Sequence, residues 1–387
     1  MDRIYLDHNA TTPLAPEAAR AMLPWLTERF GNPSSVHGAG REARAAVEEA
    51  RRAVADLVGA SPDEIVFTAG GTESDNLALH GTVRRAAARG KGTLVISAIE
   101  HPAVLRAAEG LEREGIRVVR LGVDADGVVD PAELERTLAE HSAGLVSIMA
   151  ANNETGSLQP VADLAAVCRR AAVPFHTDAV QAAGRVPLAF DAWGFDLLSV
   201  SAHKFHGPKG AGALAVRRGF RIAPQLVGGR QEKGRRAGTE NVPAIVGMGA
   251  AARLALADLG TEAARLGALK RRLWEGIAAA IPGAHLNGAL DRTLPSTLNV
   301  SFEGVDGEAL ILGLDLEGIC VSSASACSSG AVEPSHVLIA MGRGFDLARS
   351  SVRISLGRGN DAAQVERLLE VLPGVVERIR AMAAVPS

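Results

Sequence analysis

The sequence predicts an α/β fold: a large domain on a mainly parallel seven-stranded sheet, with a smaller α+β domain beside it. Three observations lead there. Seven short apolar runs follow one another between residues 65 and 216, helix-period segments separate several of them, and after a long helical stretch the texture of the sequence changes. Alternating strand and helix patterns build parallel sheets whose faces are covered by the crossover helices. The chain has 387 residues, 47% of them hydrophobic. At roughly 100 to 200 residues per domain, that suffices for two cores.

The first element is a helix. Ala43, Ala46, Val47, Ala50, Ala53, Val54 and Leu57 recur at three- and four-residue spacing, which predicts an amphipathic helix over residues 41–58, ended by Gly59. The apolar runs at 65–68, 94–97, 118–121, 145–149, 174–177, 197–200 and 212–216 read as buried strands, with helical patterns at 132–139 and 161–171. A helical stretch over 243–281 leads to segments 287–302, 307–313 and 352–356, read as mixed strands and helices. The expected division is a large domain over 15–258 and a small domain formed by 1–14 and 259–387. No internal repeat or low-complexity linker stands out.

Composition excludes several function classes. Lys plus Arg total 41 against 44 Asp plus Glu, a net charge of -3, so no broad basic field gathers nucleic acid or anionic lipid. The start, MDRIYLDHNATTP, lacks the charged, apolar and small-residue zones of a secretory signal, and no apolar run reaches the roughly 18 residues of a membrane span. Three cysteines, Cys168, Cys320 and Cys327, fit a reducing compartment better than a disulfide framework. A cytoplasmic location is expected.

In LLSVSAHKFHGPKG an apolar strand delivers Ser201, His203 and Lys204 into a glycine-rich turn. A lone lysine there is normally a surface cap. The strand before it, VPFHTDAVQ, ends in Asp178 and Gln181 at the same edge of the sheet, and ligands of α/β sheets bind beyond the carboxyl ends of the strands. A carboxylate such as Asp178 is what pyridoxal phosphate requires opposite its ring nitrogen. As a lone residue it would serve equally as a helix cap. In VFTAGGTESDNLAL, Gly70, Gly71 and Thr72 can turn amides and a hydroxyl toward a phosphate at a helix start, or form an ordinary cap. His101 is placed at the end of the strand in LVISAIEHPAV, where an imidazole could stack on a ring and exchange protons.

Cys327 lies in CVSSASACSSGAVEP, a run of small residues expected to form a mobile loop. A thiol there is placed for nucleophilic attack, provided that a neighbouring group lowers its pKa from about 8.5. Cys168, among apolar helix positions, and Cys320, next to Ile319, read as structural. No pair of cysteines or histidines has metal-ligand spacing, so no metal is expected.

Ten segments then come into play together: YLDHNATTP, FGNPSSVH, FTAGGTESDN, EHPAV, NNETG, HTDAVQAAG, SAHKFHGPKG, RAGTEN, SSASACSSG and SVRISLGR. In this order they resemble the cysteine desulfurases of the class V aminotransferase group, pyridoxal phosphate enzymes of fold type I, over nearly the whole chain. The SSASACSSG loop with the following AVEPSHVL resembles the NifS- and IscS-like branch. The resemblance implies that Lys204 carries the cofactor as a Schiff base, Asp178 pairs with the ring nitrogen, Gln181 bonds the phenolic oxygen and His101 stacks on the ring. It gives the phosphate to Thr72, Ser201 and His203 with the Gly71 backbone, and to Thr239 of a second subunit, hence a homodimer. Arg353 would anchor the substrate carboxylate with help from Asn153, which also assists at the cofactor. The implied reaction takes sulfur from L-cysteine, leaves L-alanine, and loads Cys327 as a persulfide for an acceptor protein in iron-sulfur cluster assembly or another thiolation. The rival readings are an aminotransferase or carbon-sulfur lyase of the same group, and a non-catalytic sulfur carrier or assembly platform on the same fold.

Overall fold

The computed structural model describes residues 3–323 and 334–383. The chain opens with a two-residue strand, β1 (Ile4–Tyr5), followed by α1 (Pro16–Thr27) and α2 (Gly38–Val58). α2 starts before the first apolar position of the repeat because His37 accepts the Gly40 N–H and caps the first turn. Gly59, at φ 69°, ends it in the left-handed conformation that other residues avoid.

All seven expected strands form one sheet: β2 (Ile65–Thr68), β3 (Thr93–Ser97), β4 (Arg117–Leu121), β5 (Ala143–Ser147), β6 (Phe175–Asp178), β7 (Leu197–Ser201) and β8 (Gly212–Val216). Their spatial order is β2-β8-β7-β6-β5-β3-β4. β8 runs antiparallel to both neighbours and the remaining pairings are parallel. β5 sits two residues earlier than its apolar run suggests. Met149 at the end of that run gives its N–H to the Glu100 carboxyl (2.9 Å) instead of to a neighbouring strand.

The crossover helices are α3 (Gly71–Ala87), α4 (Pro102–Arg113), α5 (Pro131–Glu140), α6 (Val161–Arg170) and the short α7 (Phe190–Trp193). Alternate strand residues feed opposite faces, as the two-residue period requires. Ile65, Phe67, Val95 and Val146 join the core beneath α2 and α6, while Val66, Leu94, Ile96 and Leu145 pack under α3 and α4.

α8 (Val242–Ala280) links two cores. Val242, Ile245, Met248 and Ala252 are buried against the seven-stranded sheet, and Leu266, Leu273 and Ile277 against a second cluster. By length and composition α8 could cross a membrane, although no uninterrupted apolar run in it is that long. Its buried side chains are core residues of both units. Beyond it come β9 (Ala284–Leu286), β10 (Thr297–Phe302), α9 (Gly307–Leu316), β11 (Ile319–Cys320), β12 (Ser322–Ser323), α10 (His336–Ala340), α11 (Phe345–Arg349), β13 (Ser351–Ser355) and α12 (Ala362–Ala383). An antiparallel sheet has the order β12-β13-β10-β9, and β11 pairs in parallel with β1. Within segment 287–302 only the last third is strand. The residues before it form a loop held by buried Lys270, whose Nζ donates to the carbonyls of Leu290 (2.8 Å) and Leu294 (2.9 Å).

Candidate active site

Parallel pairing brings the carboxyl ends of β6 and β7 side by side, with Asp178 opposite Ser199. Asp178 is the last residue of β6 and Ser201 the last of β7; Lys204 follows in a 3₁₀ turn over Ala202–Lys204. Lys204 Nζ donates to the carbonyls of Asn9 (2.6 Å) and Ala10 (2.8 Å). Burial, then the charges of Arg185 and Arg353, push its ammonium down to about 8, against the pull of Asp178. A lysine so placed has a sizeable neutral fraction near neutral pH and can act as nucleophile or base.

Asp178 is buried, and its Oδ1 accepts the Val180 N–H (2.9 Å). Burial raises its carboxyl above the ordinary range, while that hydrogen bond and Lys204 lower it. It has acidic company. Asp75 is raised by burial and by Asp178, and burial pushes Glu100 up to about 8. Two residues earlier on β6, buried His176 is hydrogen-bonded to Ser147 Oγ (2.8 Å) and Ser199 Oγ (2.9 Å) and held neutral by burial at about 3.

The turn before α3 lies flat on the sheet edge for a steric reason. A Cβ on Gly212 would meet Gly70 Cα at 2.6 Å, and one on Gly71 would meet Val180 Cγ2 at 2.8 Å. Ser201 Oγ lies beside Gly70, and Thr72 sits exposed in the first turn of α3. A helix N-terminus with the Ser201 hydroxyl beside its leading glycine suits a phosphate. The His203 ring bonds Thr11 Oγ1 (3.1 Å) and is pushed down to about 4, by burial first and then by Lys204 and Lys209.

His101 departs from its expected setting. β3 stops at Ser97, and His101 is the N-cap of α4, its Nδ1 accepting the Ala103 N–H (3.1 Å). Burial, then Lys204 and His336, push it down to about 4, so it is a neutral imidazole at pH 7. Gln181 Nε2 donates to the Asn9 carbonyl (3.0 Å) and its Oε1 accepts from Arg185 (2.7 Å).

Arg353, on β13, is 4% exposed. Its Nη1 donates to the Asn153 carbonyl (3.0 Å), its Nη2 to Asp7 Oδ1 (2.8 Å), and its Nε–H is buried without a partner among the described residues. A buried guanidinium with an unmet donor is suited to a carboxylate ligand.

The structure therefore gathers Lys204, Asp178, Gln181, His101, Ser201, Gly71, Asn153 and Arg353 around one sheet edge. It does not bring Thr239 onto Lys204. Thr239 is exposed and borders a separate cavity with Phe67, Thr68, Gly210 and Glu232. Cys327 lies outside the described residues. Cys168 is buried in α6 and pushed up to about 12, as an inert thiol should be, and Cys320 is half-buried in β11.

Three site residues were not singled out from the sequence. Asp7 binds Arg353, Asn9 meets Lys204, and Arg185 donates to Asn9 Oδ1 (2.5 Å) and the His8 carbonyl (3.0 Å). Arg185 stands four residues after Gln181 in the same turn, and that proximity was the available signal.

The family described as Aminotransferase class-V matches residues 4–368. A cysteine desulfurase of Cereibacter sphaeroides is 52% identical over 386 residues, 99% of this chain and 98% of that protein. A protein named cysteine desulfurase IscS from Dictyoglomus turgidum is 46% identical over 380 residues, 98% of this chain and 96% of its own length. A solved structure described as a NifS-like protein superposes with a TM-score of 0.90 at 39% identity, covering 97% of this chain and 100% of that one.

Proposed function

The chain belongs to the class V aminotransferase family, among its cysteine desulfurases, and we propose that Lys204, Asp178, Arg353 and Cys327 divide the removal of sulfur from L-cysteine between them. The observation that carries this reading is the pairing of a depressed lysine with a buried carboxyl at adjacent strand ends.

Pyridoxal phosphate fits the residues present. Lys204 would hold it covalently, Asp178 would face its ring nitrogen, Gln181 its phenolic oxygen, and His101 its ring. Asn153 would lie beside both cofactor and substrate. Gly71, Thr72, Ser201 and His203 would take the phosphate, at a turn that packs so closely on Gly212 that a Cβ there would meet Gly70 Cα at 2.6 Å. When bound, the cofactor supplies an electron sink for the substrate's α-carbon.

The chain's own groups do the rest. Arg353 binds the substrate carboxylate, using the fork that has an unmet Nε–H. Lys204 Nζ, depressed to about 8, takes the α-proton. Asp178 holds its charge in a dry setting, where it acts more strongly than in water. Cys327 Sγ attacks the substrate sulfur; the S–S bond forms as the C–S bond breaks. The proton lost by the Cys327 thiol is delivered to the β-carbon and Lys204 returns its proton to the α-carbon, leaving L-alanine and a Cys327 persulfide. An acceptor protein then receives the sulfur, for iron-sulfur cluster assembly or another thiolation.

A homodimer is part of the proposal, with Thr239 completing the site of a second copy. The support is that Thr239 is exposed, as are Leu23, Leu26, Phe30 and Val36 around α1 and the start of α2. A cytoplasmic location is also part of the proposal, supported by three cysteines being too few and too odd a set for a disulfide framework. We place the large cofactor-binding unit at 15–258 and the small unit at 1–14 and 259–387, because α8 changes cores between Ala252 and Leu266.

The test is an assay of purified enzyme with L-cysteine and reductant, measuring alanine and sulfide together. Equal yields, with Cys327→Ser keeping the cofactor's visible absorption but releasing no sulfide, are expected. Undiminished sulfide release by Cys327→Ser would point to a carbon-sulfur lyase, and failure to bind the cofactor at all to a non-catalytic platform.

A further inference from the structure

The described residues end at Ser323 and resume at Pro334, on either side of the segment that carries Cys327 in the sequence. Its two roots are tied to the residues assigned above to the substrate. On the first side, Ser322 of β12 pairs across from Arg353 of β13. On the second, Ser335 Oγ donates to Glu154 Oε2, and the His336 ring donates to the Glu100 carbonyl (3.0 Å). Glu154 directly follows Asn153, whose carbonyl receives Arg353, and Glu100 directly precedes His101. Neither glutamate has a part in the chemistry above.

Glu154 is built into place. In the NNETG turn, Asn152 Oδ1 accepts the N–H groups of Glu154 (2.9 Å) and Thr155 (3.0 Å), while Asn152 Nδ2 donates to the Ile99 carbonyl (2.9 Å). The Glu154 carbonyl accepts from Asn299 Nδ2 (3.1 Å). Ser335 is the N-cap of α10, and its Oγ accepts the Leu338 N–H (3.2 Å), so its single hydrogen is committed to Glu154. Both side chains are buried, at 4% and 2% exposure. Val337 and Leu338 then pack with Ile99, Met149, Met341 and Ala348, which docks α10 on the carboxyl edge of the large sheet. A carboxyl buried in such a setting costs free energy unless it is hydrogen-bonded, and here Ser335 is its donor.

We propose that Glu154 is a positioning residue for sulfur transfer: through Ser335 it fixes the root of the Cys327 segment in the same frame as Arg353. The proposal rests on the desulfurase reading with Cys327 as the sulfur acceptor. Substrate recognition and thiol delivery then share one rigid turn, and a shift of about 1 Å in the root is felt as a loss in rate rather than in binding.

The test compares Glu154→Ala, Ser335→Ala, their double variant and Glu154→Gln. Expected for both alanine variants is a fall of about 10- to 100-fold in kcat for alanine formation, with the KM for L-cysteine within about 3-fold and the cofactor spectrum retained. The double variant falls no further than the worse single one, because both changes cut one bond. Glu154→Gln, which keeps an acceptor oxygen, recovers most of the rate. Hydrogen exchange on cofactor-free protein supplies the reading independent of activity: the Leu338 amide loses about 10-fold or more of its protection in both alanine variants.

Unchanged kcat in Ser335→Ala, a loss that appears in KM alone, or losses that multiply in the double variant overturns the proposal. Should Glu154→Ala fail to fold, Ser335→Ala and Glu154→Gln decide it by the same criteria. Failure of the underlying reading looks different: Cys327→Ser then turns over fully, whatever the exchange experiment shows at Leu338.

Discussion

The cofactor end of the site and its substrate end are built by different means. Asp178, Gln181, Ser201, His203 and Lys204 fall within 27 residues, on two neighbouring parallel strands and the turns that leave them. The substrate end is assembled from four distant pieces: Asp7 on the N-terminal arm, Asn153 and Glu154 after β5, Ser322 on β12, and Arg353 on β13. The first depends on one sheet closing correctly. The second depends on the small sheet, the arm and the large sheet meeting in register, so single changes there should alter geometry more readily than chemistry.

The largest expected effect is at the cofactor end. Lys204→Ala should abolish the cofactor's visible absorption and lower alanine formation by about 10⁴-fold or more, measured by absorbance and by product assay. Asp178→Asn keeps the shape and removes the charge. It should lower kcat by about 10²- to 10³-fold with little change in the KM for L-cysteine. At Arg353, which binds the substrate carboxylate directly, the pattern is the opposite. Arg353→Lys should raise KM by about 10- to 100-fold while kcat stays within a few-fold, the cost of a lost guanidinium fork. A loss in kcat alone at Arg353 would erase the distinction between the two ends.

The smallest effect concerns stability and pH. Glu100 is raised to about 8 and Glu154 to about 7, both above the ordinary carboxyl range. Groups with raised folded-state values contribute stability that is present below about 4.5 and lost as pH rises through 7 to 8. His8 and His176, lowered to about 3, act oppositely: their contribution is present above about 6.5 and lost as pH falls toward 3. Melting curves should therefore decline on both sides. Glu100→Gln should flatten the alkaline side by about 2–5 °C.

The same contrast explains what could be read in the sequence. Seven apolar runs located the seven strands because a strand buried on both faces leaves a continuous signature, and β2 and β8 were found to the residue. Lys204 and Asp178 were legible because they end such runs. Arg353 sits in a strand of the small sheet and has no local mark, so only the likeness of SVRISLGR to a known motif picked it out. His101 was placed at a strand end although the apolar run stops at Ser97; Ser97 gives its hydroxyl to Glu100 (2.5 Å), the chain leaves the sheet, and His101 caps α4 instead. Asp7, Asn9 and Arg185 escaped notice because their roles arise from long-range approach of the arm, which no local pattern encodes.

The division of labour between the two ends is tested most directly in a single turnover without reductant. Wild-type enzyme mixed with a limiting amount of L-cysteine should form alanine and an equal amount of Cys327 peptide heavier by one sulfur atom, located by mass mapping. Cys327→Ser should form neither while keeping the cofactor's absorption. Alanine formed in full by that variant, or sulfur found on Cys168 or Cys320 instead, would contradict the assignment.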